Sequence, residues 1–432
     1  MNSFILSPSR FCYIFLLACF SSLSAADVNS TVSAGYQHSL FTKTDGSLWA
    51  TGYNHKGQLG DGSTTDRNAS VKILASGVAA VAASYHHSLY LKSDGSLWAM
   101  GRNNYGQLGD GTTTDRNASV QILASGVSAV SANYYQSFYL KTDGTLWAMG
   151  RNNYGQLGDG TTTDRSTAVQ VDTNVSAVSA GYNHTLYLKS DGSLRAMGRN
   201  HKGQLGDGST DERNASVQVE ASGVSAIATG QYHSLYLKTD GSLRAMGYNH
   251  KGQLGDGTTT DRSTSVQVEA SGVTSIAAGY SHSLYLKTGG NLRAMGYNHK
   301  GQLGDATTTD RNSSVQVDSN VTVVSGGRYH SIFLKTDGSL WATGYNNKGQ
   351  LGDATTTDRN ASAQIVPGPA MQPKTLTINA TANGTVTGAG TYDKETIVNL
   401  TATPATGYAF SGWTGGFTSG SASTSLTMSA NY

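Results

Sequence analysis

The sequence predicts an all-β chain: a seven-bladed β-propeller followed by a small β-grasp-like or all-β module. Three observations carry this expectation. The pentapeptide Gly-Gln-Leu-Gly-Asp begins at Gly57 and recurs at Gly106, Gly155, Gly203, Gly252, Gly301 and Gly349, spaced by 48 or 49 residues, and a period near fifty marks a propeller or solenoid. Asp-Gly pairs such as Asp240-Gly241 separate alternating runs, a tight-hairpin signal that no helical solenoid shares. Of five prolines, Pro8 lies at the N-terminus and the others at Pro367 or later, so none interrupts the repeats.

Taken in order, residues 1–26 place Arg10 before the apolar run Phe11–Phe20 and the small-residue stretch Ser21–Ala26, the layout of a secretory signal peptide. The run is too short for a membrane-spanning helix, which needs about 20 apolar residues. Leu16-Leu17-Ala18-Cys19 also resembles a lipobox, which would anchor the chain through Cys19. The two cysteines, Cys12 and Cys19, both lie here, so the mature chain is expected to rely on burial and hydrogen bonding rather than disulfides. The location expected is secreted or cell-surface.

Residues 27–366 form the propeller. Within one repeat, Val224–Ala228 is a short first strand, His233–Lys238 alternates as a second, Ser242–Gly247 returns after the Asp-Gly turn, and Ser265–Val268 is a fourth after a long polar loop. Four strands per repeat make a blade.

The pattern Ala278-Gly279-Tyr280-Ser281-His282-Ser283-Leu284, followed by Gly301-Gln302-Leu303-Gly304, resembles the repeat of the regulator of chromosome condensation family over residues 28–366. Ser222-Gly223-Val224-Ser225-Ala226-Ile227 is similar to the secreted propeller-type β-lactamase inhibitors of that superfamily. The resemblance implies a binding scaffold. It also implies the alternative of a nucleotide-exchange or chromatin-type regulator, against which the leader, the uninterrupted repeats and the missing basic tail count. Unlike many family repeats, this chain carries Ser or Ala, not proline, before the fourth strand, as at Ser265.

Pro367 to Pro373 reads as a stiff linker. In residues 374–432 the runs Thr375–Ala380, Thr385–Thr387, Ile397–Ala402 and Leu426–Ala430 alternate as strands. The text Ala402-Thr403-Pro404-Ala405-Thr406-Gly407-Tyr408 with Gly412-Trp413 resembles internalin-type B-repeat modules of bacterial surface proteins, with an expected role as spacer or adhesion unit.

Composition argues against several chemistries. With 30 basic against 28 acidic residues, no nucleic acid is expected as a partner, since phosphate binding needs clustered Lys and Arg. The four glutamates, Glu212, Glu220, Glu269 and Glu395, are scattered, so neither paired catalytic carboxylates nor an enzyme, such as a propeller acting on polysaccharide, is expected. His38, His87, His184, His233, His282 and His330 share one repeat position, with Gln136 in the third repeat. Although Ser or Thr follows each, neighbours on a strand face opposite ways, and the histidines read as structural. His55, His201, His250 and His299 precede Gly-Gln-Leu-Gly and would spread around a ring, so no metal or other cofactor is expected. Loops such as Asp110–Arg116 suit Asp–Arg pairing.

Binding residues are expected where near-identical repeats disagree. Leu97–Arg116 and Leu146–Arg165 are identical, yet the pair before the histidine varies. The loop before strand two and the loop after strand three must share one face, which therefore carries Tyr36, Tyr85, His86, Tyr134, Tyr135, Tyr182, Tyr232, Tyr280, Arg328 and Tyr329, with Arg102, Arg151 and Arg199. Tyrosine and arginine are enriched at binding hot spots, so a protein or other macromolecule is expected to dock there on a monomeric propeller. On strand three, Trp49, Trp98, Trp147 and Trp341 align with Arg195, Arg244 and Arg293; these arginines fit either an inter-blade seam or a polar sector of the outer surface.

Overall fold

A computed structural model describes residues 31–366, 374–376, 378, 384–392, 397–413 and 419–427. The expected leader, Cys12, Cys19 and the proline linker lie outside the described residues. The chain divides into two compact units, residues 1–366 and 367–432.

The first unit holds seven four-stranded antiparallel sheets, each paired in sequence order. In blade 1 the strands are Val32–Ala34, His38–Thr42, Leu48–Gly52 and Arg67–Leu74. Blade 5 has Val224–Thr229, His233–Lys238, Leu243–Gly247 and Arg262–Glu269. Its fourth strand thus starts three residues before the expected Ser265, because Arg262 already pairs with Gly247. Alternation along the second strand does not separate a wet face from a dry one: His87 to Leu91 are all buried, since each sheet is covered by a blade on either side. Leu40, Leu48 and Ala50 of blade 1, for example, form one cluster with Val81, Tyr90 and Met100 of blade 2.

No blade borrows a strand to close the ring. Ile332, Leu334 and Leu340 of blade 7 pack on Val32, Ala34 and Phe41 of blade 1. Arg328 N donates to Gly35 O at 3.0 Å, the same contact as Tyr36 N to Ser84 O, Tyr182 N to Gly230 O and Tyr280 N to Gly327 O at three other seams.

The shared histidines are structural. Each is fully buried, and its Nε2 meets the serine hydroxyl of the next blade: His38–Ser88, His87–Ser137, His184–Ser234, His233–Ser283, His282–Ser331 and finally His330–Ser39, at 2.8–3.0 Å. Because histidine and serine are neighbours on a strand, one reaches forward and the other backward, which makes the pair a connector around the ring. In blade 3, Gln136 donates instead to Gly181 O and His184 O. The Gly-x-x-His spacing has a packing cause: a Cβ on Gly230 would strike Cε1 of His233.

The two central residues of the Asp-Gly hairpins do not both take positive φ. Only the glycine does, as at Gly95 (φ 80°), while Asp94 Oδ1 accepts the Ser96 amide at 2.9 Å. The long loop is built on a buried asparagine. Asn249 Nδ2 donates to Asp256 and Thr258 O, and its Oδ1 accepts Leu254 N at 2.9 Å. Asp256 in turn accepts from Nε and Nη2 of Arg262 at 2.9 and 2.6 Å, the pairing the loop sequence suggested.

Arg195, Arg244 and Arg293 line inter-blade seams. The fourth strand of the preceding blade ends in an acid at these seams, Asp172, Glu220 or Glu269, which accepts a tyrosine hydroxyl of the next blade at 2.5–2.8 Å. Where the third strand carries Trp98, Trp147 or Trp49, that terminal residue is Leu74, Leu123 or Val366, packed into the same cluster. Blade 6 to 7 is mixed, with Asp318 bound to Lys335 at 2.7 Å beside Trp341.

In the second unit, Lys374–Leu376 pairs with Gly390–Tyr392, and Gly384–Thr387, Ile397–Pro404 and Ser423–Thr427 form a three-stranded sheet. Leu376, Val398, Leu400 and Leu426 make its core, against which Trp413 packs. The described residues of this module are all-β.

Candidate binding face

Register fixes which loops share an end. His38 pairs with Gly52, so the loop entering strand two and the loop leaving strand three lie together, and Tyr53 N donates to Gln37 O at 2.8 Å. The same pairing recurs in every blade, for example His233 with Gly247.

The variable pair divides into two rings. Its first residues, Tyr36, Tyr85, Tyr134, Tyr182, Gln231, Tyr280 and Arg328, converge on the axis. Ring centroids are 3.9 Å apart for Tyr36–Tyr85, 5.1 Å for Tyr85–Tyr134 and 3.6 Å for the stacked Tyr134–Tyr182. Tyr182 lies 6.1 Å from Tyr280 across blade 5, whose Gln231 amide donates to the Tyr280 hydroxyl. Arg328 closes the circle, 5.0 Å above Tyr280 and 4.1 Å above Tyr36. Beneath lies an axial channel of about 420 Å³ walled by Ala, Ser, Thr, Gly and Val of the first strands. Loop backbones lace the circle, as in Tyr36 N to Ser84 O at 2.9 Å and Tyr280 N to Gly327 O at 3.0 Å.

The second residues radiate outward to the third-strand loops. His86 packs on Tyr53, Tyr232 on His201 and Tyr329 on Tyr297. Tyr135 departs from the expected exposed contact: it is buried, at 7 % exposure, and accepts Arg102 Nη1 at 2.9 Å. The cause is local, because Asn133 pairs directly with Gln136 in blade 3. That tight turn leaves Tyr134 at φ 51°, uncommon for a bulky residue, and turns Tyr135 inward.

Burial raises the Tyr85, Tyr182 and Tyr280 phenols above their ordinary range, so they stay neutral hydrogen-bonding groups. It also lowers the Arg328 guanidinium from its usual value. Each of the seven loop arginines meets an aspartate, from Arg67–Asp61 at 2.7 Å to Arg359–Asp353 at 2.8 Å. By contrast, Arg102, Arg151, Arg199 and Arg328 face rings: Arg151 is 5.0 Å from Tyr105, and Arg199 is 4.6 Å from Tyr154. No carboxylate pairs with any of these four among the described residues. His55, His250 and His299 each approach an aspartate at 3.7 Å, and no cluster of metal-ligating side chains occurs among the described residues.

Seven closed blades joined through these repeated loops match a known family. The RCC1-like domain model matches residues 119–389, more than half the chain. The chain belongs to the RCC1-like family. Models of the regulator of chromosome condensation (RCC1) repeat also match residues 30–58 and 78–107, and 45–91 and 94–139. Residues 374–432 match the divergent InlB B-repeat domain. No curated protein sequence matches the chain. Among solved structures, human WBSCR16 is 21 % identical with a TM-score of 0.66, covering 76 % of this chain and 94 % of its own. Prp20p of Saccharomyces cerevisiae, described together with its binding to Gsp1p and histones, is 20 % identical with a TM-score of 0.67, covering 75 % and 87 %. Yeast RCC1 (Prp20) bound to Kap60 gives 17 % and 0.71, covering 86 % and 92 %. These likenesses establish the propeller of this RCC1-like chain. Its sequence placed the two sets of variable loops at one end of the blades but not the division into axial and outer rings, whose signal was that the first of the two positions is tyrosine in five of seven repeats.

Proposed function

We propose that this RCC1-like chain is an exported, monomeric binding scaffold that recognises a protein through the axial tyrosine circle and the arginines around it, without catalysis. One observation carries the reading: a single face gathers the five half-buried axial tyrosines and four arginines that lack carboxylate partners among the described residues. Tyrosine and arginine contribute large contact area at low entropic cost. The arginines favour a partner that brings acidic groups, because opposed charge steers encounter and fixes register. Export rests on the leader-like residues 1–26, with Cys19 as a lipid attachment point, and on the B-repeat module, which would hold the propeller at a surface.

The test is affinity capture with the full mature chain from its native environment, followed by binding measurements on the captured protein. Replacing Tyr85 and Arg151 with alanine should weaken binding by roughly 2 kcal/mol or more, about thirtyfold. Removal of Thr142, at the opposite end of blade 3, should change nothing. Equal binding by the Tyr85/Arg151 variant would overturn the reading.

A further inference from the structure

Beyond protein recognition, the face contains a cleft of about 410 Å³ above blades 4 to 7, within the size range of small-ligand sites. Its walls are Tyr232, Tyr248, Tyr280, Tyr297 and Tyr329. Two departures from the repeat make the room. Blade 5 places Gln231 where most blades carry an axial tyrosine, and blade 6 places Ser281 where blades 3, 5 and 7 carry Tyr135, Tyr232 and Tyr329. We infer that this cleft is a carbohydrate subsite, shaped for a neutral, β-linked oligosaccharide of gluco configuration.

Charge narrows the ligand first. Lys202 lies 5.2 Å from the Tyr248 ring and 3.4 Å from Asp261, and Lys251 lies 5.3 Å from Tyr297 and 3.5 Å from Asp310. Each ammonium is matched by a carboxylate, so neither an anion nor a cation finds spare charge.

Ring geometry narrows it further. Tyr280–Tyr329 and Tyr297–Tyr329 stand 5.8 and 5.7 Å apart at 61° and 51°, and Tyr232–Tyr248 at 6.4 Å and 86°. At these steep angles the rings are not stacked on one another; a cation lies over one face of each, Lys202 on Tyr248, Lys251 on Tyr297, Arg199 on Tyr232 and Arg328 on Tyr280 and Tyr329, and the opposite faces are those a ligand would meet. Apart from the two paired lysines, the polar lining consists of the phenols, the Gln231 amide, the Ser281 hydroxyl and the His250 imidazole. A ligand complementary to both needs flat apolar faces and a girdle of hydroxyls. A pyranose with all-equatorial hydroxyls has that form: axial C–H groups cover both faces, and the hydroxyls project sideways as donors and acceptors.

The site shares Tyr280 with the axial circle but not Tyr85 or Arg151, so failure of this assignment and failure of the protein-binding reading are told apart by which variants lose which ligand. Calorimetric titration of the full mature chain with a β-1,4-linked glucose hexasaccharide tests it, with the α-1,4-linked isomer and a proline-rich decapeptide as competitors for the assignment. Saturable binding of the β-linked sugar is expected. Tyr248→Ala and Tyr297→Ala should each weaken it at least about tenfold, and Thr142→Ala, at the opposite end of blade 3, should leave it unchanged. Because ring removal could loosen the loops, Ser281→Tyr serves as a second variant: it fills the cleft without deleting a side chain and should abolish binding at an unaltered melting temperature. The assignment fails if the β-linked sugar does not bind at millimolar concentration, if Ser281→Tyr binds it normally, or if only the peptide is bound through these tyrosines.

Discussion

Acid should unfold this propeller well before its carboxylates are neutralised. The perturbation is a shift from pH 7 to pH 5.5, and the responsive groups are the six connector histidines. Burial drives their basicity down, to about 3 for His87, His184, His282 and His330 and about 4 for His233, with His38 well below its ordinary value. An unfolded histidine titrates near 6.5. Between these values the unfolded chain binds more protons than the folded one, so stability rises with pH and is lost as pH falls below about 6.5. One unit below that value the loss is about 1.4 kcal/mol per histidine, hence about 8 kcal/mol for the six. Domains are typically stable by about 5–15 kcal/mol, so a shift of this size decides whether the ring is folded. His86 and His201 shift the same way but are partly exposed and are left out of the sum. Carboxylates such as Asp256, held below their ordinary range against the opposing effect of burial by hydrogen bonds from Thr258 and Arg262, extend the loss in the same direction, but only at about pH 4 and lower.

The assay is urea unfolding followed by circular dichroism at half-unit steps from pH 7.5 to 4.5. A loss approaching about 8 kcal/mol per pH unit below pH 6 is expected. Blade 3 supplies the internal control, because Gln136 fills the connector position without titrating. His233→Gln should keep the chain folded and lower the slope by about 1.4 kcal/mol per unit. A flat profile between pH 7 and 5, or a slope unchanged by His233→Gln, would refute the reasoning.

Three further outcomes follow from the packing. Gly230→Ala drives a Cβ into the His233 ring and Gly279 O and should destabilise by about 1–3 kcal/mol, read as a lower urea midpoint. Asn249→Ala strands Leu254 N and one side of Asp256; each buried unmet group costs about 1–3 kcal/mol, and amide exchange in the Tyr248–Thr264 loop should accelerate. At the seam between blades 4 and 5, Glu220→Leu with Arg244→Trp recreates the apolar arrangement of blades 1 and 2. A double-mutant cycle there should give a favourable coupling of about 0.5–3 kcal/mol, and additive effects would mean the two positions do not meet.

What the sequence made legible, and what it did not, follows from the range of each interaction. Blade number and strand order were readable because Gly-Gln-Leu-Gly and the Asp-Gly turns are local conformational demands written seven times. The histidine role could be argued from strand alternation alone, yet its serine partner lies 49 or 50 residues away for each junction inside the chain, on another blade. Seam chemistry was equally hidden: Arg293 acts electrostatically on Glu269, which ends a different sheet. The burial of Tyr135 was not legible because it depends on a one-residue extension of the first strand to Asn133, a backbone detail that no side-chain count predicts.

Repetition also says where selectivity must come from. A ring whose blades all used the same residues would present seven equivalent surfaces, and an asymmetric partner could not prefer one docking angle over six others. The connector histidines, buried asparagines and Asp–Arg pairs are nearly uniform around the ring. They meet the hydrogen-bonding needs of every blade before the face residues are considered. Face positions can therefore vary with little effect on folding, and the few that break the symmetry carry the information: Arg328 alone is charged in the axial circle, Gln231 alone leaves it open, and Ser281 alone is small enough in the outer ring to floor a tyrosine-walled cleft. Exchanging the Ser281 and Tyr329 side chains between blades 6 and 7 keeps composition and scaffold the same while moving that opening by one blade. Ligand binding should move with it, or vanish, while the melting temperature holds.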